Sequence, residues 1–179
     1  MRLIVMGQQA FGKSALETIL DAGKDEVVAV YCAPDKDGRQ DPIKEFALEK
    51  GLAVMQPDNF KDQAVLDEMR AFEADLCVMA YVIIFVPEEA RDIPTHGSIC
   101  FHPSLLPLHR GPSSINWPIM WGATKTGLSY FWPDDGLDEG EILLQKEIDI
   151  GPDDTIGSVY FDKVFPVGLQ ATLEAIDLV

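Results

Sequence analysis

Four short apolar runs alternate with amphipathic stretches through the first eighty residues. Arg2 to Met6 is apolar and ends at Gly7, the pattern of a strand buried on both faces. Ser14 to Ala22 follows with Leu16, Ile19 and Leu20 on one helical face, closed by Gly23. Val27 to Tyr31 is a second β-rich run. It enters the turn sequence Pro34-Asp35-Lys36-Asp37-Gly38, after which Pro42 opens a helix from about Ile43 to Lys50. Leu52 to Met55 is a third strand. Asp62 to Phe72 is a helix with Val65, Leu66 and Met69 facing inward, and Leu76 to Ala80 is a fourth strand. Repeated β-α units with short connections predict an α/β fold: a Rossmann-like, mostly parallel sheet with right-handed crossovers and helices on both faces.

Past residue 95 the pattern changes. Ser98 to Phe101 reads as a fifth strand with His102 just beyond its C-terminal end, where ligands of such sheets bind. Ile115 to Trp121 has the length of a short helix. Leu128 to Trp132 and Ile142 to Glu147 read as two strands of a hairpin joined by an acidic loop. From Thr155 the pattern is helical, capped by Asp153 or Asp154, and Pro166 and Gly168 are expected to kink or break it. The last helix is expected to run off the end at Val179. The whole, residues 1–179, is thus read as a single domain with a truncated C-terminal helix.

Composition narrows the partners. A formal net charge of −16 repels phosphate backbones, so nucleic acid is disfavoured. Three cysteines, Cys32, Cys77 and Cys100, have no CxxC spacing and fit a reducing cytoplasm. No apolar stretch reaches the ~18 residues of a membrane span. Gly7 to Ser14 matches G-x-x-x-x-G-K-[ST] between a strand and a helix, which would let Lys13 and Ser14 serve a bound nucleotide. No central strand ends in the acidic metal ligand that such chemistry needs, so a tight glycine turn from strand to helix, which any α/β fold needs, is the preferred reading.

The densest chemistry lies between Cys100 and Asp138. His102 precedes Pro103, and Ser104, His109, Arg110 and Asn116 follow in a loop stiffened by Pro103, Pro107 and Pro112. A lone histidine is more often a hydrogen-bonded structural residue, but a stiff polar loop at a strand end is the setting of a preorganised site. Asp134, Asp135, Asp138, Glu139 and Glu141 form an acidic loop, most of which reads as solvated. One carboxylate beside an imidazole makes a general acid–base pair. The spacing fits neither a calcium loop nor a zinc set, so no metal is expected.

The run His102-Pro103-Ser104-Leu105-Leu106-Pro107 with His109-Arg110-Gly111 resembles the signature of the folate-dependent formyltransferases, and Asp138 in DDGLDEGEIL fits their essential aspartate. The resemblance spans the chain, through GQQAFG, APDKDGRQDP, HGSICFHPSLLP, SSINW, FWPDDGLD and PDDT. Within the family it is nearest to the N-terminal hydrolase domains of 10-formyltetrahydrofolate dehydrogenases. The resemblance implies the formyltransferase fold and 10-formyltetrahydrofolate as formyl donor. His102 would be the general acid or electrostatic partner of the formyl group and of N10, and Asp138 would orient or deprotonate the attacking water, or tune His102. Ile84, Phe85 and Val86 would line the folate pocket, although from the residues alone they read as core.

The chain departs from the pattern at Cys100, where many members carry an asparagine that stabilises the developing oxyanion. A thiol donates weakly, and loss of such a donor can cost ~3 kcal/mol of transition-state stabilisation. A nucleophilic role for Cys100 is the competing reading. The expected function is removal or transfer of the formyl group, releasing tetrahydrofolate, to water or to an acceptor such as a carrier protein's phosphopantetheine thiol. A C-terminal domain missing from this sequence is a further expected partner. The alternatives are transfer to an amine of methionyl-tRNA, an amino sugar or glycinamide ribonucleotide, a nucleotide-binding phosphotransferase, and a non-catalytic folate-binding module.

Overall fold

The computed structural model describes all residues, 1–179, and divides into two compact units, Met1–Ile99 and Cys100–Val179. The first is built on strands β1 (Arg2–Gly7), β2 (Glu26–Tyr31), β3 (Val54–Met55) and β4 (Leu76–Ala80). β1 runs parallel to β2 and to β4, and β2 runs parallel to β3. β4 is buried at every position and β1 at every position after Arg2. That is why both read as unbroken apolar runs rather than as alternating ones.

Helices α1 (Gln9–Ala22), α2 (Pro42–Glu49), α3 (Gln63–Ala71) and α4 (Glu88–Arg91) connect and follow these strands. Asp41 caps α2 by accepting Ile43 N–H at 3.0 Å, and the same carboxylate accepts Gln9 N–H at 2.8 Å, at the start of α1. In α3, Leu66 and Met69 are buried, whereas Val65 is half-buried.

The structure corrects the nucleotide-loop reading. Helix α1 begins at Gln9, five residues earlier than Ser14, so Gly12 and Lys13 lie inside the helix and only Gln8 separates it from β1. The two glycines serve close packing. A Cβ on Gly7 would stand 2.3 Å from Ala80 O, and one on Gly12 would stand 3.0 Å from the Gly7 carbonyl carbon. Lys13 pairs with Glu17 on its own helix at 3.4 Å. No backbone cradle for phosphates is left between Gly7 and Ser14.

The second unit carries β5 (Ser98–His102, entering from the first unit), β6 (Lys125–Phe131) and β7 (Ile142–Asp149), which pair antiparallel in sequence. The seven strands form one mostly parallel sheet in the order β3-β2-β1-β4-β5-β6-β7. His102 is the last residue of β5 rather than the first beyond it. A short helix, α5 (Asn116–Met120), precedes β6.

The C-terminal segment also differs from expectation. A π-helical segment, Ser158–Val164, leads directly into α6 (Phe165–Asp177). Pro166 falls in the first turn of α6, where its missing N–H costs nothing, so it starts that helix rather than breaking it. Gly168 is buried within α6, and its carbonyl accepts Thr172 Oγ1–H at 2.9 Å. The helix closes at Asp177, short of Val179. No helix of the chain is long and apolar enough to cross a membrane.

Candidate active site

Side chains alternate along a strand, so Cys100 and His102 project from the same face of β5. The loop that leaves His102 is fixed from beneath by a polar network centred on two buried serines. Ser104 Oγ donates to Leu108 O at 2.6 Å. Ser129 Oγ, on β6, donates to Ser104 O at 2.7 Å and accepts Leu106 N–H at 3.1 Å. Gln145, opposite Ser129 on β7, donates through Nε2 to Leu106 O at 2.8 Å and to Ser129 Oγ at 2.9 Å. Ser104 and Ser129 are fully buried, yet each hydroxyl has its partner, so polar bonds order the loop alongside the buried Leu106.

The acidic loop is brought against this one by three contacts. Gly111 N–H donates to Asp138 Oδ2 at 2.6 Å. Arg110 and Glu139 form an ion pair. Leu137 packs so near Gly111 that a Cβ there would lie 3.2 Å from its Cδ2. Gly140, at φ 112°, is required: a Cβ would fall 1.9 Å from Trp132 O. Asp134 turns the loop by accepting Gly136 N–H at 2.8 Å. Asp138 itself holds φ 47°, a conformation that aspartate tolerates better than most residues.

These contacts bring His102 and Asp138 together. His102 Nε2 lies 3.0 Å from His109 O, and its Nδ1 lies 3.4 Å from Asp138 Oδ2. A carbonyl only accepts, so Nε2 carries a proton. A neutral ring would then turn the lone pair of Nδ1 towards a carboxylate oxygen, and two acceptors facing each other repel. The arrangement is satisfied when one further proton lies between them, on Nδ1 as imidazolium or on Asp138 as the acid. His102 is 7% exposed, so little water competes for that proton. The pair can give a proton to one developing charge and take one from an incoming nucleophile.

Cys100, His102 and Asp138 thus belong to one unit, while Ile84, Phe85 and Val86 belong to the other, in the segment after β4. Those three do not behave alike. Val86 is buried and its carbonyl accepts Arg91 Nη1–H at 2.9 Å. Ile84 is half-buried, and Phe85 is 63% exposed with Lys61 Nζ 5.9 Å from its ring centre. The core reading therefore holds for Val86 and fails for Phe85.

Four participants escaped the sequence reading. Two are main-chain groups, His109 O and Gly111 N–H, which no residue type announces. The others are Ser129 and Gln145. A serine inside the apolar run Leu128 to Phe131 was the available signal, since a buried polar side chain needs a partner.

The pattern of the formyl transferase family matches residues 1–176. The chain is 42% identical over 184 residues to the cytosolic 10-formyltetrahydrofolate dehydrogenase of Xenopus tropicalis, an alignment that covers 100% of this chain and 20% of that protein. It is 38% identical over 185 residues to the methionyl-tRNA formyltransferase of Fusobacterium nucleatum, covering 100% of this chain and 59% of that one. Among solved structures, the phosphoribosylglycinamide formyltransferase of Bacillus halodurans superposes with a TM-score of 0.83 at 22% identity, over 98% of this chain and 95% of the other. The chain therefore spans about a fifth of the length of the dehydrogenases that it matches.

Proposed function

We propose, from the premise that the chain belongs to the formyl transferase family, that it removes the formyl group of 10-formyltetrahydrofolate and passes it to water or to a thiol. The observation that carries this reading is the His102–Asp138 pair, with Nδ1 and Oδ2 3.4 Å apart.

With water as acceptor, the oxygen attacks the formyl carbon as Asp138 takes a water proton. Negative charge gathers on the formyl oxygen, where a proton on His102 Nδ1 stabilises it. Collapse breaks the bond between carbon and N10, and the proton taken by Asp138 goes to N10. The products are formate and tetrahydrofolate. With a thiol the same steps give a formyl thioester, whose acceptor would be a phosphopantetheine arm on a carrier protein or a further domain. Cys100 supplies at most a weak donor on the His102 face of β5. Exposed Phe85 and half-buried Ile84 offer apolar surface to the folate ring, and buried Val86 supports their segment from within. The work is assigned to the cytoplasm, as in the cytosolic dehydrogenase that the chain resembles.

A second reading, transfer to an amine, is favoured by the 38% identity to a methionyl-tRNA formyltransferase. The net charge of −16 counts against tRNA itself as the acceptor. The deciding experiment follows 10-formyltetrahydrofolate spectroscopically with the purified chain, with and without a small thiol, beside His102→Ala and Asp138→Ala. Deformylation lost in both variants supports the pair, and acceleration by the thiol selects the carrier-linked acceptor. Saturable folate binding without turnover favours the amine reading. Neither binding nor turnover would overturn the proposal.

A further inference from the structure

His102 can offer Nδ1 to the reaction only while its Nε2–H is held elsewhere. That hold is a single main-chain group, the carbonyl of His109, at 3.0 Å. His109 has φ 56°, a left-handed conformation that a residue with a side chain keeps only when its surroundings impose it. Gly111 at φ 76° and Ser113 at φ 65° share the left-handed region, so the loop turns sharply on both sides of Arg110.

The ring of His109 supplies the anchor. It packs on Trp121 with ring centres 5.4 Å apart at 49°, and Trp121 packs on Trp117 at 5.8 Å and 34°. The two tryptophans lie one helical turn apart, with Trp121 N–H bonded to Trp117 O at 3.0 Å. Core packing does not explain them, since Trp121 is 71% exposed and Trp117 40% exposed. With Pro107, Leu108 and Arg110 they line an open groove of about 430 Å³.

We propose that His109 is a positioning residue for His102 and that Trp121 anchors it. The stack fixes the His109 backbone, the backbone aims its carbonyl, and the carbonyl holds the Nε2–H of His102 so that Nδ1 is turned to Asp138. The proposal rests on His102 being the working group in formyl transfer. The ring of His109 acts through its flat face, so a phenyl ring can take its place.

The test uses the full chain with ¹⁵N-labelled histidines, which number three and are assigned with the help of His96→Gln. In His109→Ala and Trp121→Ala, kcat should fall about ten- to a hundredfold, the range expected of a misaimed catalytic group. KM for 10-formyltetrahydrofolate should hold, and the His102 Nε2 signal should move away from its position in the parent chain. His109→Phe and Trp121→Phe should restore both readouts. Unchanged His102 signals in the alanine variants, or phenylalanine variants as impaired as the alanine ones, would overturn the proposal. Trp121→Ala, on an exposed surface, carries the test if His109→Ala does not fold. The ring signals need no turnover, so their shift in a chain without formyl chemistry would refute the functional reading while upholding the positioning role.

Discussion

His102 and Asp138 face each other across 3.4 Å, and each is held from behind by a main-chain group of one short loop. The His109 carbonyl takes the far nitrogen of the imidazole, and the Gly111 N–H takes the near oxygen of the carboxylate. Two loops far apart in sequence are therefore registered by a three-residue span, His109 to Gly111. Its left-handed turns point a carbonyl and an amide towards the same pair.

Asp138→Asn should remove the proton acceptor while keeping an oxygen for the Gly111 N–H. Turnover should drop by about 10²- to 10⁴-fold, the usual share of a general base. The melting temperature should fall only slightly, because the asparagine oxygen still accepts Gly111 N–H and still faces His102. A steady-state assay beside a thermal melt checks both halves. Retained turnover would remove Asp138 from the chemistry.

The start of the π-helical segment contains a pH-sensitive clasp. Asp154 is bonded to Lys163, Gly151 N–H and Ser158, and its carboxyl is held at about 2, chiefly by the Lys163 hydrogen bond. A carboxyl depressed in the folded state, against ~3.9 in an unfolded chain, stabilises the fold above pH ~4. That contribution should fade as pH falls from about 4 towards 2. Asp154→Asn should flatten this part of the stability profile, read by urea unfolding at successive pH values. An unaltered slope in the variant would place the acid sensitivity elsewhere.

Lys13→Ala separates a nucleotide loop from a packing glycine turn. Lys13 makes an i,i+4 pair with Glu17 at 3.4 Å on a half-buried helix face, and its Nζ lies 5.1 Å from the Phe46 ring centre. Its removal should shift stability by no more than about 1 kcal/mol and leave deformylation unchanged. Gly7→Ala should instead destabilise by about 1–3 kcal/mol, since its Cβ has only the Ala80 carbonyl to enter. Denaturant titrations of the two variants give the comparison.

Tyr130 and Thr172 share a buried hydrogen bond of 2.6 Å, and Thr172 Oγ1 already donates to Gly168 O. Tyr130 must therefore be the donor. Tyr130→Phe deletes one bond and leaves threonine satisfied, at about 1 kcal/mol. Thr172→Val strands a buried phenol and should cost about 1–3 kcal/mol, the larger of the two. Equal costs would mean that water reaches the phenol.

Periodicity alone carried the strand order of events through β4, because buried parallel strands are apolar at consecutive positions and their helices at every third or fourth. The apolar run Leu76 to Ala80 coincides with β4 at both ends. The boundaries that moved have local causes. Helix α1 gained five residues because Gly7 and Gly12 pack backbone to backbone, a tertiary demand invisible to a turn pattern. Pro166 marks the change of segment that the pattern announces, and its place in the first turn makes it the start of the last helix. At the site, His102 and Asp138 stood out as residue types, whereas their holders are a carbonyl and an amide, which every residue possesses. Only backbone conformation distinguishes those two, and sequence states it weakly for His109.

Cys100 offers the last prediction. It lies two residues before His102 on the same face of β5, half-buried and opposite Phe131 on β6. In the resembling family that position often carries an amide aimed at the developing oxyanion. A thiol is a poor substitute, being a weak donor that contributes little when charge gathers on oxygen. Cys100→Ala should accordingly change kcat by less than about fivefold, since little stabilisation is there to lose. Cys100→Asn should raise kcat, by up to about a hundredfold if the amide attains the donor geometry. The same assay that follows 10-formyltetrahydrofolate measures both, and the gain should appear in kcat rather than KM because the contact strengthens only as charge develops. Loss of turnover in a folded Cys100→Ala variant would reverse the argument and make the thiol a nucleophile.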